Sequence, residues 1–251
     1  MNLLMFTIRH LCCLVFICCV FSGTKGLAQT SGQAEVIYLS GSAEVLLKDA
    51  EGFAPCQEGM TLEPGDKVRT LEGGIVELAF NEENTNVVRL SESTEIEVVL
   101  EDEEKLSMNE GEIFASIVGL PAESSFEIRT PTAVCGVRGT EWVTRVSGEE
   151  TEVEAIENTP YVRHFEVSGA KSDLKTVIQP GQMTTVRKFQ LPLQPRPIPH
   201  GYAQWKPVKE EMRRHADQAF KERKNRPAFD REHFRREMVP QKIGAPGSGP
   251  G

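Results

Sequence analysis

From Ala34 onward, apolar residues recur at every second position over short runs. Val76, Leu78 and Phe80 alternate with Glu77 and Ala79, and Ile96, Val98 and Leu100 alternate with Glu95, Glu97 and Val99. Phe126, Ile128 and Thr130 alternate with Glu127 and Arg129, and Trp142, Thr144 and Val146 with Val143 and Arg145. A period of two over runs this short predicts half-buried strands. Two further runs, Ala34 to Leu39 and Ala43 to Leu47, flank Ser40-Gly41-Ser42, which reads as a turn. Glu63-Pro64-Gly65-Asp66 is turn chemistry of another kind, since proline fixes one φ and glycine supplies a positive one. Polar clusters at Asn81–Asn84, Glu101–Glu104, Ser147–Glu150, Ser168–Lys171 and Gln179–Gln182 separate the remaining runs. Many short strands at this spacing predict an all-β body built as a sandwich, a roll or a short solenoid. The periodicity does not choose among them.

The pattern changes at both ends. Residues 191–200 form a proline-rich linker, LPLQPRPIPH, expected to be extended and semi-rigid. Over residues 201–240 the period becomes helical, with Val208, Met212, Ala216, Ala219 and Phe220 on one face. After Pro227, the residues Phe229, His233, Phe234 and Met238 suit a second short amphipathic helix, and 241–251 read as a flexible end. Helices with such narrow apolar stripes are marginal alone and need a surface to dock on. At the other end, a head carrying Arg9 and His10 precedes an apolar run from Leu11 to Phe21, and Gly26-Leu27-Ala28 offers small residues at an exit site. This is the pattern of a cleavable signal peptide over residues 1–28, and the run is well short of the ~20 apolar residues of a spanning helix. The resulting expectation is a periplasmic or secreted protein cleaved near Ala28. The alternative is an uncleaved anchor in the inner membrane.

Charge divides the chain further. Residues 29–190 hold 13 Lys and Arg against 30 Asp and Glu, a balance of −17; residues 191–251 hold 13 against 7, a balance of +6. An acidic body with a basic tail implies two units. The tail suits an anionic membrane surface, a polyanion or the acidic body itself, and also suits a cap over a sheet edge. Export makes nucleic acid an unexpected partner. After residue 28 only Cys56 and Cys135 remain, either as a disulfide, which an oxidising compartment allows, or as two buried thiols.

The most distinctive stretch runs from Phe126 to Trp142. A strand enters Thr130-Pro131, where proline cannot serve a ladder, and Gly136 and Gly139 bracket Val137 and Arg138. Among such small and apolar neighbours, Arg138 is expected inside the fold, bonded to carbonyls or a carboxylate. The pair Thr130-Pro131-Thr132-Ala133 and Val137-Arg138-Gly139-Thr140, followed by Glu141-Trp142, resembles the hallmark of the FecR domain family. The strand pair from Gln33 to Leu47, the segment Leu62 to Thr70, the strand at Val76 to Phe80, Gly111-Glu112-Ile113 and Pro180-Gly181-Gln182 fit the same pattern in order, over roughly residues 30 to 188. The connection Glu157-Asn-Thr-Pro160 departs from it, where the family usually has a glycine.

This resemblance implies an all-β periplasmic domain. Its best-known members regulate sigma factors and carry a cytoplasmic segment and a transmembrane helix ahead of the domain. Here an export signal stands instead, so signalling by this chain would need another protein across the membrane. Thr130, Pro131, Thr132, Val137, Arg138, Gly139, Thr140, Glu141 and Trp142 are the candidate motif and interaction residues.

No H-E-x-x-H, G-x-S-x-G or Cys–His spacing occurs, His164, His200, His215 and His233 are scattered, and the acidic loops lack the spacing of calcium ligands. No catalytic residue, metal or cofactor is therefore expected. The reading that results is a non-catalytic interaction or regulatory module binding an envelope protein or receptor. A self-associating envelope scaffold and an enzyme with an unfamiliar site are the alternatives.

Overall fold

The computed structural model describes residues 33–121 and 124–238. The predicted signal peptide and the end at 241–251 lie outside them.

The chain passes repeatedly between two sheets, here I and II. Strand β1 (Ala34–Ser40) starts sheet I; β2 (Ala43–Leu46) and β3 (Ala54–Pro55) pair in sheet II; β4 (Thr61–Leu62) returns beside β1. Strand β5 (Lys67–Thr70) joins β2 in sheet II, and β6 (Ile75–Ala79) and β7 (Val87–Leu90) extend sheet I. Strand β8 (Glu95–Glu101) pairs with β5.

The 14-residue strand β9 (Glu104–Ile117) serves both sheets, its first half pairing with β8 and its second with β7. It crosses at Gly111, whose φ is +100°; a Cβ there would lie 2.3 Å from the Thr94 hydroxyl, so only glycine suits the bend.

Beyond β9 the weave repeats. Strand β10 (Phe126–Arg129) runs parallel to the first half of β9 and hairpins into β11 (Ala133–Val137) in sheet II. Strands β12 (Thr140–Ser147) and β13 (Glu150–Glu157) continue sheet I, β14 (Tyr161–His164) and β15 (Thr176–Val177) finish sheet II, and β16 (Gln182–Arg187) and β17 (Arg196–Pro197) finish sheet I. Both sheets end in two-residue strands, so each is open rather than closed into a barrel. The fold is all-β with two helices after it, as the periodicity predicts, and the weave between facing sheets supplies the architecture the periodicity leaves open.

The inward residues of both sheets make one apolar cluster, among them Val45, Leu78, Leu90, Leu106, Met108, Ile128, Cys135 and Trp142. Each large aliphatic buried there contributes about 1.5–3 kcal/mol. A second cluster lies on the far face of sheet I. Ile37, Ala79, Val87, Phe114 and Val143 meet Trp205, Met212, Ala216 and Ala219 of helix α1 (Trp205–Arg223). The helix thus covers a sheet face, not an edge. Its stripe begins one turn before the predicted one, at Trp205, and the expected member Phe220 stays 45% exposed.

Helix α2 (Arg231–Met238) inserts Phe234 into the main cluster beside Phe229, with ring centroids 5.5 Å apart; His233 and Met238 are exposed. The apolar stripe that a membrane-binding tail would need is occupied by the body, and much of the tail's basic charge is too. Lys209 pairs with Glu141 and Glu157, Arg223 and Arg226 with Glu35, and Arg231 with Asp66. Of the readings of the basic tail, docking on the acidic body is the one the structure shows.

A candidate interaction site at the Thr130–Trp142 segment

The turn between β10 and β11 is held by hydroxyls. Thr130 Oγ1 accepts from Ala133 N at 3.0 Å and lies 2.8 Å from Thr151 Oγ1 on β13. Thr132 Oγ1 donates to Thr151 Oγ1 at 2.7 Å, with the Val186 carbonyl of β16 at 3.2 Å. All three threonines are buried, so this chain of hydrogen bonds stitches sheet II to sheet I. Pro131 sits exposed at the tip, where its missing N–H costs nothing.

The next residues alternate strictly. Cys135 and Val137 point into the core, while Gly136 faces outward opposite Tyr161. A Cβ on Gly136 would lie 2.4 Å from the Tyr161 ring, so the glycine makes room for that ring. Arg138 follows in the outward phase and is exposed. This corrects the expectation of a buried arginine: the strand alternation places it outside, and no carboxylate among the described residues lies within ion-pair distance of it. Gly139 (φ +145°) turns the chain into β12, and its carbonyl accepts from Asn158 Nδ2 at 3.0 Å.

Thr140 is buried, and Glu141 is buried beneath the tail, where Lys209 Nζ reaches it at 2.7 Å. Burial pushes the Glu141 carboxyl up, against the pull of Lys209. Trp142 is fully buried, its Nε1 donating to Thr144 Oγ1 at 3.0 Å and its ring edge-on to Phe126 at 6.2 Å.

Of the nine motif residues, then, Thr130, Thr132, Val137, Thr140 and Trp142 build the interior. Gly139 makes the turn, Glu141 anchors the tail, and Pro131 and Arg138 face solvent. Cys56 and Cys135 are unbonded and buried, so the disulfide alternative is corrected in favour of two thiols, and burial pushes each up to about 12.

Sequence spacing gave no sign of what surrounds Arg138. Tyr161 donates its hydroxyl to Glu127 Oε1 at 2.7 Å, and Lys171 Nζ reaches Glu127 Oε2 at 2.8 Å. Burial pushes Glu127 upward, but the hydrogen bonds from Lys171 and Tyr161 outweigh it and hold the carboxyl below the ordinary range. Burial and the bond to Glu127 together push the Tyr161 phenol up. Lys175 Nζ sits 4.1 Å from the Tyr161 ring centre and the Arg163 guanidinium 5.6 Å from it, both in reach of a cation–π attraction.

The acidic loop at Asn81–Asn84 braces its own turn and holds α1. Asn81 Oδ1 accepts from the backbone of Thr85 and Asn86, and Asn84 bonds the Ala216 carbonyl and Arg223 of α1. A second unforeseen group lies under α1. Glu77 is fully buried, bonded by Arg89 at 2.6 Å and by His215 at 3.1 Å; Tyr38 stacks on His215 at 3.6 Å, and Arg89 also reaches Glu211 at 2.8 Å. Asp66, also fully buried, accepts from the backbone of Lys48 and Glu63 and from both ends of Arg231.

The fold is a two-layered all-β scaffold with an exposed arginine at the end of a braced hairpin. The particular family follows from comparison. The family model described as FecR protein matches residues 66–159, from the start of β5 through β13, and includes both halves of the hallmark motif. Over these residues the chain therefore matches a FecR domain.

Two crystal structures from Parabacteroides distasonis ATCC 8503, each described provisionally as an anti-sigma factor, are similar to it. One, at 1.65 Å resolution, is 18% identical with a TM-score of 0.42, covering 52% of this chain and 59% of its own. The other, at 2.50 Å, is 17% identical with a TM-score of 0.36, covering 64% and 60%. This chain thus spans about three fifths of the length of each. No curated protein matches the chain.

Proposed function

We propose that this protein is an exported, non-catalytic interaction module of the FecR type that binds a protein partner in the cell envelope and has a regulatory role. The observation that carries the reading is the division of labour within the motif. Most of its residues build the interior or shape the backbone, Thr130 and Thr132 bracing the β10–β11 hairpin, and that rigid element presents Arg138 to solvent. A charged side chain held outward by a fixed scaffold is what partner recognition requires. The match to the FecR family supports a regulatory and non-catalytic role. The basic head, apolar run and small-x-small exit before Gln29 support export and cleavage near Ala28.

Two measurements test the proposal. N-terminal sequencing of the protein recovered from cells should give a start near Gln29; a start at Met1 refutes cleavage. Photo-crosslinking in intact cells from position 159, exposed beside Asn158 where that residue bonds the Gly139 carbonyl, followed by mass spectrometry, should trap one envelope protein in preference to others. Crosslinks only to a second copy of this chain would replace the proposal with a self-associating scaffold.

A further inference from the structure

Residues 29–190 hold 13 basic side chains against 30 acidic ones, so a basic side chain there has ample choice of partners. Eight of the 13 are ion-paired. Three of the remainder, Arg138, Arg163 and Lys175, gather on the outward face of sheet II around Tyr161, with no carboxylate among the described residues within ion-pair distance. Arg163 and Lys175 flank the Tyr161 ring at 5.6 and 4.1 Å. Burial lowers the Lys175 pKa and the like charge of Arg163 adds to that lowering, Glu103 and Glu127 pull it back up, and Arg138 lowers it further. Arg163 Nε is buried with no hydrogen-bond partner. Clustered cations repel one another and cost stability unless something else compensates. Beside them the surface turns aliphatic. Val177 faces Tyr161 across the β14–β15 pair and is 49% exposed, and Leu174 is 67% exposed.

We infer that this basic and aliphatic island, Arg138, Arg163, Lys175, Tyr161, Leu174 and Val177, is the docking surface for an acidic polypeptide segment that interleaves carboxylates with apolar side chains. The inference rests on the reading of this protein as an interaction module and gives that reading a place and a partner chemistry. Charge complementarity supplies the argument for a carboxylate-bearing occupant. The spread of the cations supplies the argument for a peptide. They ring an aromatic side chain and adjoin aliphatic surface, whereas a phosphate is held by donors that converge on one point. A membrane or long polyanion would also meet the strongly acidic remainder of the body, while a short segment meets only the island.

The test uses the purified protein with its C-terminal tail and a fluorescein-labelled peptide of alternating glutamate and leucine, read by anisotropy. The peptide should bind, with affinity falling as salt is raised, and Arg138→Glu or Lys175→Glu should each weaken it by about tenfold. Val177→Ser should weaken it a few-fold, and Lys188→Glu, on a distant exposed lysine, should leave it unchanged. Melting curves that coincide with the parent establish that the variants are folded; Arg138→Ala serves if a charge reversal is not tolerated. Equal binding by parent and variants overturns the inference. So does a preference for phosphatidylglycerol vesicles or inorganic phosphate over the peptide. If the variants lose the peptide but still crosslink the envelope partner, the island is a peptide site and the partner docks elsewhere. If the parent binds the peptide and traps no envelope protein, the island stands and the proposed function fails.

Discussion

The outward faces of the two sheets are built from the same kind of alternating strand and have opposite fates. On sheet II much of the outward face is polar and uncovered: Arg69 pairs with Glu44 at 2.6 Å, Lys67 with Glu97 at 3.5 Å and Arg129 with Glu104 at 2.8 Å, all partly exposed. On sheet I the outward row contains Ile37, Phe114 and Val143, and α1 closes over it. Of the charged residues of that row, Glu77, Arg89 and Glu154 are buried and Arg145 and Glu112 partly so, and each has a specific partner. Arg145 bridges Glu112 and Glu154 at 2.5 Å each, and Trp205 donates to Glu154 at 3.1 Å. The lesson is that one helix converts a solvated strand face into an interior. Ion pairs of the same chemistry then differ in consequence, because water screens one set and is excluded from the other.

Substitutions at matched positions test that contrast. The largest effects belong to the covered face. Arg89→Ala leaves the Glu77 carboxylate in the interior with only His215, and should cost about 3–5 kcal/mol in chemical denaturation. Trp205→Ala empties the contact with Phe114, whose ring centre lies 5.5 Å away, and should cost a similar amount, about 3–5 kcal/mol. A loss below about 1 kcal/mol from both variants would mean that the helix does not hold the face shut.

Between the sheets, Thr151→Val removes the hydroxyl shared by Thr130 and Thr132. It should cost about 1–3 kcal/mol without altering the secondary structure seen by circular dichroism.

The open face should respond less, and in part through pH. The carboxyl of Glu127 is held below its unfolded value, so its contribution is present above the unfolded pKa of about 4.3 and is lost as pH falls through the lower folded value. Glu127→Gln should flatten the fall in stability below about pH 4, and an unchanged acid limb would remove Glu127 from the account. Smallest of all, Glu44→Ala on the exposed row should change stability by less than about 1 kcal/mol, and by less still in high salt. A cost there equal to that of Arg89→Ala would erase the distinction between the faces.

Particular residues show how far the sequence could be read. The pairs Val76/Leu78 and Ile96/Val98 point inward as their alternation requires, because the period of a strand is local geometry. The helical stripe through Val208, Met212, Ala216 and Ala219 was equally legible. The apolar neighbours of Arg138 suggest a buried side chain, but in a strand those neighbours point to the opposite face. Trp205 heads the helical stripe one turn before the apolar spacing begins. A hint of the covered face was present in Val143, an apolar residue in a phase otherwise polar, but that one residue does not say what covers it.

What the sequence determined by itself was the local order: the strands, the turns, the two helices and the motif of the FecR domain. Each follows from spacing and from residues with restricted backbone or side-chain preferences. The tertiary structure alone decided that the strands weave between two sheets and share β9 across both. It likewise decided that α1 covers a face rather than an edge, that Glu77 and Asp66 are interior charges, and that Arg138, Arg163 and Lys175 meet around Tyr161. These are contacts between residues distant along the chain. Periodicity fixes which way a side chain points, but only the packed fold fixes what it meets.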